Sequence, residues 1–496
     1  MGRGQKGSCN SYRSMVGDDT IPDIFLHARI SGTADKLVAP QIEVSQFSKM
    51  KILLGVHQFF PDRRAGTEVL TLELARGLRA RGHHVEIIAG EADHELSAEC
   101  QPRLSHDSFD EFVVHRLRYG MTKRKHPIAD HWFEPRRVQV VLDLVRSLKP
   151  DVVHFNHVMG FSAQILQEVS QLGLPVFFTA TDYWIVCPKH TLFRTFDKRV
   201  CSGPGDGVNC ARCFCPIPRW LAKTAAVVAD SPISRLSSML RNVNSIRVRV
   251  DRMVKALGKV SRILVSTQFL AQVLIDHGVE KEMIRVIPYG VDIGVLPEKR
   301  AVPNEFSASD PLRLGYIGTI SKIKGPHLIL RAIEFLGEQR KLVRLEIFGK
   351  TENTDPFCRW LLKEVRNRGL PVEFKGTFPH EMIGKILRGF HLLVIPSLWY
   401  ESAPLVLCSA LAAGTPVVVS RLGGMTEALQ EGENGISFTP GDYRALFGII
   451  SDFLRDPTKL RDMHLVMNAQ IRTPADYVSE IEEEYCKALA ESHRPS

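Results

Sequence analysis

Glu401 sits between a short apolar strand running into Pro396-Ser397 and the apolar helix PLVLCSALAAG. Proline at a helix start leaves the first backbone N–H groups, around Leu405 and Val406, without intrahelical partners, which favours an anion there. A carboxylate at such a strand–helix junction can accept hydrogen bonds from sugar hydroxyls, or simply cap the helix. Gly66-Thr67-Glu68 opens another helix, TEVLTLELARGLRARG. Glycine there allows close backbone approach and the helix start favours phosphate. His154, in DVVHF, is either a hydrogen-bonded core imidazole or a group facing a site at the strand end. Cys187, Cys201, Cys210, Cys213 and Cys215 hold half of the chain's ten cysteines in one loop rich in Gly and Pro. The Cys210-x-x-Cys213 spacing suits a metal knuckle, and the four thiols Cys187, Cys201, Cys210 and Cys213 would make a closed zinc site; free thiols and a redox pair remain the alternatives.

The elements that must position these groups alternate strand and helix from Met50 onward. KILLGV, HVEII, DVVHF, PVFFT and RILVS read as strands, and Leu70, Leu74 and Leu78 line one helical face. The proline-rich segment 281–310 reads as a last strand running into an interdomain linker. The alternation then restarts with LRLGYIG, RLEIFG, VEFKG, LLVIP and PVVV. Such alternation predicts an α/β chain with parallel, doubly wound sheets and ligands at the carboxyl ends of the strands. We expect domains at 50–300, with a cysteine-rich insert at 187–215, and at 308–475. A C-terminal helix at 476–496 would return to the first domain, and 1–49 would be a disordered extension.

The 496 residues suffice for two or three domains, and 44% apolar with 24% charged residues is globular composition. No stretch approaches the roughly 20 apolar residues of a membrane span, and the first residues lack an apolar signal core, so the expected compartment is the cytoplasm. Gly2 followed by Ser8 does not match the myristoylation spacing. A net charge of +9 favours an anionic partner. Charge alone does not argue for nucleic acid, which we set aside. The basic stretch Arg241–Lys259 reads as a surface helix of the first domain, with contact to an anionic inner membrane face as the sharper alternative. VHQFFPDRRAG lacks the G-x-G-x-x-G of a dinucleotide oxidoreductase.

The stretch IPSLWYESAPLVLCSALAAGTPVVVSRLGGMTEALQEGENGISFTPGD resembles the donor-binding signature of retaining glycosyltransferases of family 4. LRLGYIGTISKIKGPHLILRAI, FFPDRRAGTEVLTLELARGLRARGHHVEII, PDVVHFNHVMGFS, FTATDYWIVCP and VIPYGVD are similar to further motifs of that family. The resemblance implies the GT-B fold, two facing Rossmann-like domains with a cleft between them. It implies transfer of a sugar, with retention, from a nucleotide-sugar donor to a glycan or lipid-linked acceptor in polysaccharide or glycoconjugate biosynthesis. No cofactor is implied for that step.

Residue by residue, Glu401 would contact the donor sugar, Gly318 and Lys324 the diphosphate, and Gly66-Thr67 the phosphates from the other side. Leu405 and Val406 would offer backbone N–H groups, and Gly290 belongs to the interdomain Pro-x-Gly-Val-Asp. Asp182 is retained in the Asp-Tyr-Trp segment, and His154 matches the acceptor-side His-x-His, making Glu401, Lys324 and His154 the expected catalytic set. Four positions depart from the pattern. Ser409 replaces the Glu that holds the ribose, Thr319 an Arg, and Asn156 and Thr181 two histidines. These departures motivate a competing expectation, a glycosyltransferase-like protein that binds nucleotide or glycan without turnover. A subset of the family carries a similar cysteine-bearing insert, which implies a structural role for the cluster.

Overall fold

The computed structural model describes residues 49–492, apart from 64, 94, 98–99, 121–127, 215–216, 229–237, 295, 353, 403 and 467–471. The expected extension at 1–49 therefore lies almost wholly outside the described residues. The described chain forms one compact unit containing two sheets. In the first sheet, β1 (Lys51–Val56), β2 (His84–Asp93), β3 (Arg103–Phe109), β4 (Phe112–Gly120), β5 (Val152–Phe155), β6 (Val176–Ala180), β7 (Arg262–Val265) and β8 (Ile284–Val286) take the order β3-β4-β2-β1-β5-β6-β7-β8. The second sheet holds β9 (Leu312–Ile317), β10 (Val343–Phe348), β11 (Val372–Gly376), β12 (Leu392–Ile395), β13 (Val417–Ser420) and β14 (Gly435–Phe438), ordered β11-β10-β9-β12-β13-β14. Every pairing is parallel except β3 with β4.

The parallel strands are near-continuous apolar runs because helices cover both faces of each sheet. Leu70, Leu74 and Leu78 of the helix Gly66–Ala80 are buried, as their spacing predicts. The β3–β4 hairpin was not anticipated. Its two-residue turn is Asp110-Glu111, both at positive φ (52° and 65°), with Phe109 paired to Phe112. A turn with two left-handed residues ordinarily advertises itself by Asn-Gly or Asp-Gly, and neither is present.

The C-terminal helix Pro474–Ser492 crosses back to the first sheet. Its Tyr477, Val478, Ile481 and Tyr485 join the core of the helix Gly66–Ala80. Val478 seats against Gly77, where a Cβ would fall 2.4 Å from a Val478 methyl. Glu482 ties the helix down by an ion pair to Arg81 and a hydrogen bond with His83 Nε2 at 2.7 Å. No helix among the described residues is long and apolar enough to cross a membrane.

Candidate functional site

The carboxyl ends of β6, β9 and β12 face one another across a cleft of about 480 Å³. It gathers Gly66, Thr67, Asp182, Gly318, Thr319, Lys324, Glu401, Leu405 and Val406. Gly290 and Ser409 lie next door, in an adjoining chamber of about 240 Å³ that shares Leu405 and Val406.

Glu401 is buried and its carboxylate is fully dressed. Lys324 Nζ reaches its two oxygens at 2.7 and 2.8 Å, Ser397 Oγ donates at 2.6 Å, and Trp399 Nε1 donates at 2.9 Å. Lys324 also lies 5.1 Å from the centre of the Trp399 ring. Glu401 is thus not a mere helix cap. The two residues, expected to grip different parts of a ligand, hold each other in a half-enclosed ion pair. An anion and a hydroxyl arriving together can be shared between them without either charge losing its partner.

The loop that carries Lys324 is fixed by backbone demands. Gly325 adopts φ +75°, and a Cβ there would fall 2.0 Å from Pro396 O. Gly318 adopts φ +150° where β9 ends. The helix Leu405–Ala412 follows Pro404 and brings its first N–H groups to the cleft wall. Gly290 is pressed against the chain entering the C-terminal helix, and a Cβ would sit 1.9 Å from Thr473 O.

The two walls already touch. Ser402 Oγ donates to Thr181 O (2.7 Å), Thr267 Oγ1 to Ser402 O (3.1 Å), and Tyr183 OH to Glu401 O (3.3 Å). Glu427 accepts from the backbone N–H groups of Gln268 and Phe269, which open the helix Gln268–Asp276. A carboxylate at a helix start is a favourable pairing. Thr181, standing where the family pattern has histidine, meets Thr67 side chain to side chain at 3.0 Å.

His154 is corrected by the structure. It lines none of these cavities and is fully buried in β5, with Nδ1 2.6 Å from Tyr485 OH and Nε2 2.7 Å from Thr179 Oγ1. Burial pushes its pKa down to about 3. It is a neutral tie between sheet and C-terminal helix, not a cleft residue. We predict that Tyr485→Phe, which strips one partner from this buried ring, costs about 1–3 kcal/mol of stability. Urea unfolding measures that loss, and turnover of the remaining folded protein is expected to be unchanged. A drop in kcat with unaltered stability would restore His154 to the site.

Among the imidazoles near Asp182, His190 lines the cleft. Asn156 is wholly buried, and His157, one residue on, points Nε2 at Asp182 Oδ2, 3.5 Å away. His190 Nδ1 lies 4.0 Å from the same oxygen, and Trp184 N–H donates to Asp182 Oδ1 at 2.8 Å. Burial alone would raise the Asp182 pKa; His157, His190 and the Trp184 amide outweigh it and hold the carboxyl below its usual range. His57 packs on His157 with ring centres 4.5 Å apart. Burial, and then His157, pushes the His57 pKa down to about 3. The sequence pattern pointed to His154 because the family spacing was read literally. The shift of one residue, His157 directly after Asn156, was the available signal.

Cys187, Cys201, Cys210 and Cys213 come together closely enough to act on one another. Burial first, and the three neighbouring thiols next, push the Cys210 thiol strongly upward. All four are free, and Cys201 Sγ donates to Gly203 O. Among the described residues no three or more His, Cys, Asp or Glu side chains are grouped so that they could hold a metal ion. Cys215 lies outside the described residues. The basic stretch Arg241–Lys259 also changes meaning in part: Arg249 is buried, donating to Ile185 O at 2.8 Å and to His131 Nδ1 at 2.9 Å.

Residues 298–469 match the family of glycosyl transferases group 1, and residues 65–232 match the glycosyl transferase 4-like domain. Among curated proteins, the chain is 31% identical over 176 residues to a glycogen synthase of Mycobacterium tuberculosis (strain ATCC 25618 / H37Rv), covering 35% of this chain and 40% of the relative. It is 30% identical over 211 residues to a D-inositol 3-phosphate glycosyltransferase of Acidothermus cellulolyticus, covering 38% and 46%. The chain thus spans less than half the length of these relatives. Among solved structures, sucrose-phosphate synthase from Thermosynechococcus elongatus superposes with a TM-score of 0.59 at 17% identity, over 89% of this chain and 100% of that one. Anabaena HepE in complex with UDP and glucose gives 0.57 at 17% identity, over 88% and 98%. At such identity these likenesses show the fold.

Proposed function

Since both halves of its described unit match glycosyltransferase domains, the chain belongs to the group 1 glycosyltransferases, with the GT-B fold, and we propose that it transfers a sugar, with retention, from a nucleotide-sugar donor to a glycan or lipid-linked acceptor. The observation that carries the reading is the Lys324–Glu401 pair in the cleft, beside the helix start at Leu405. A cation and helix N–H groups suit a diphosphate leaving group, and a carboxylate suits sugar hydroxyls. The HepE structure with UDP and glucose supports a nucleotide-sugar donor.

In this reading Lys324 and the N–H groups of Leu405 and Val406 stabilise charge developing on the leaving diphosphate, electrostatic help that requires no metal ion. Glu401 orients the sugar from its opposite side. Asp182, with His157 and His190 behind it, lies across the cleft and receives the acceptor hydroxyl. The interlobe contacts of Ser402, Thr267 and Glu427 exclude water and so limit donor hydrolysis. A thermal-shift screen of UDP-, GDP-, ADP- and dTDP-sugars finds the donor, and NMR of the product reads the anomeric configuration. Inversion, or stabilisation by no sugar nucleotide, would overturn the proposal.

A lipid-linked acceptor would place the first lobe at an anionic membrane surface. The helix Arg219–Val228 supports this, for Trp220 is 69% and Val227 75% exposed, with exposed Arg219 and Lys223 on the same helix. Such a helix lies in the interface with aromatic and basic residues engaged. We predict co-sedimentation with phosphatidylglycerol vesicles at low salt, weakened at least fivefold by Trp220→Glu. Equal recovery with neutral vesicles would sink the membrane contact.

A further inference from the structure

The first lobe carries a separate hollow of about 320 Å³ over the carboxyl ends of β1, β2 and β4. His57, Gly90, Glu91 and Tyr119 line it, with Asp62 and Arg63 from the loop after β1. In a parallel sheet this is the edge where ligands bind. The strand order β2-β1-β5-β6 sets it to one side of Asp182, which lies two residues past the end of β6. With strands about 4.8 Å apart, the hollow stands two to three spacings from Asp182, roughly 10–14 Å. Two imidazoles mark the way: the ring centres of His57 and His157 are 4.5 Å apart, and His157 Nε2 is 3.5 Å from Asp182.

His57 supplies the chemical demand. Its Nε2 faces the buried Glu68 carboxylate, 3.5 Å from Oε1. Burial keeps the ring neutral, so it carries one proton, and the carboxylate draws that proton to Nε2. Nδ1 is left as an acceptor, buried and without a hydrogen-bond partner. Such an acceptor is costly until an N–H or O–H reaches it. The rest of the wall narrows the ligand class. Glu91, paired with Arg116, and the exposed Asp62 flank Arg63, so an anion reaching that guanidinium would meet two carboxylates as well. An alkyl chain would strand His57 and both carboxylates away from water. Sugar hydroxyls donate to all three groups.

We propose that this hollow holds the second sugar of the acceptor, the unit next to the one whose hydroxyl reaches Asp182, so that the acceptor presents a glycan of at least two sugar units. A single ring at Asp182 does not extend to the hollow; a second unit linked to it does. The inference rests on the glycosyltransferase reading, with Asp182 on the acceptor side, and its test separates the two.

The full chain is first titrated with UDP, GDP, ADP and dTDP. In the presence of the diphosphate that binds, saturation-transfer NMR then compares glucose, galactose and mannose with maltose, cellobiose, lactose and mannobiose. At least one disaccharide is expected to bind at least tenfold more tightly than either of its component sugars. Ala92→Phe, which sets a ring into the hollow from an exposed position, is expected to bring that ratio within threefold and leave diphosphate affinity unchanged. His57→Phe, which keeps a ring and removes the acceptor nitrogen, is expected to weaken the disaccharide at least fivefold, and carries the test should Ala92→Phe not fold. No disaccharide advantage in the wild type, or one that survives in a variant melting like wild type, would overturn the inference while diphosphate binding leaves the donor reading intact. Inorganic phosphate held by the wild type and lost in Ala92→Phe would assign the hollow to a phosphorylated acceptor and overturn it equally. Failure of every diphosphate to bind would overturn the donor reading and the inference with it.

Discussion

Lys324→Ala is expected to lower kcat by about 10²–10³-fold, the loss typical of removing one preorganised group from developing transition-state charge. The expectation follows from where the ammonium stands. It lies on the cleft wall with Gly318 and Thr319, 2.7 Å from the carboxylate proposed to hold the sugar. The position expected to carry a second cation in this family is Thr319, so among these cleft residues the leaving group has Lys324 and the helix start to rely on. The fold is expected to survive the change. Glu401 keeps Ser397 Oγ and Trp399 Nε1 as donors, so its buried carboxylate is not stranded. A melting temperature within a few degrees of wild type, with turnover nearly lost, is the expected pair of readings. Turnover above a tenth of wild type would remove Lys324 from the chemistry. If the wild-type chain itself shows no turnover with any donor, the binding-protein reading motivated by Thr319, Ser409, Asn156 and Thr181 takes over.

How far the site could be read from sequence depends on how local its determinants are. Gly318, Lys324, Glu401, Leu405 and Val406 sit on strand–loop–helix units whose chemistry lies within a few residues, and all five line the cleft. The mutual grip of Lys324 and Glu401 was not legible, because it joins residues 77 positions apart through the strand order. His154 misled for the same reason. Its partner Tyr485 lies 331 residues downstream on a helix that crosses from one lobe to the other, and local periodicity carries no trace of that contact. Parallel strands were legible as apolar runs, whereas β3, half exposed and polar, matched no buried pattern. The cysteines were legible as a group but not as a geometry, since loop spacing says nothing about the direction each thiol takes.

The second large effect is expected in stability, on mild acidification. His154 and His391 are fully buried and His327 nearly so. Burial pushes the first down to about 3 and the other two to about 4, with Arg331 helping at His327 and His464 at His391. In the unfolded chain each titrates near pH 6.5. Above that pH neither state binds the proton and the rings cost nothing. Below it the unfolded chain takes up protons that the folded chain refuses until about pH 4, so stability falls as pH falls. Each histidine contributes about 1.4 kcal/mol per pH unit, and from pH 7 to 5.5 the three together remove about 4 kcal/mol. That is a large part of a margin of roughly 5–15 kcal/mol. Asp182, held low instead of high, begins to matter only below the carboxylate range. His391 states the physics most sharply. Its Nδ1 accepts from Arg313 N–H at 3.0 Å while its Nε2 faces Ala301 O at 3.1 Å, an arrangement that only the neutral ring satisfies. Urea unfolding at pH 7, 6.25 and 5.5 is expected to show the decline. In His391→Asn, whose amide oxygen can still accept from Arg313, the slope is expected to shrink by one proton's worth. A flat profile across this window would mean that the folded protein admits protons to these rings.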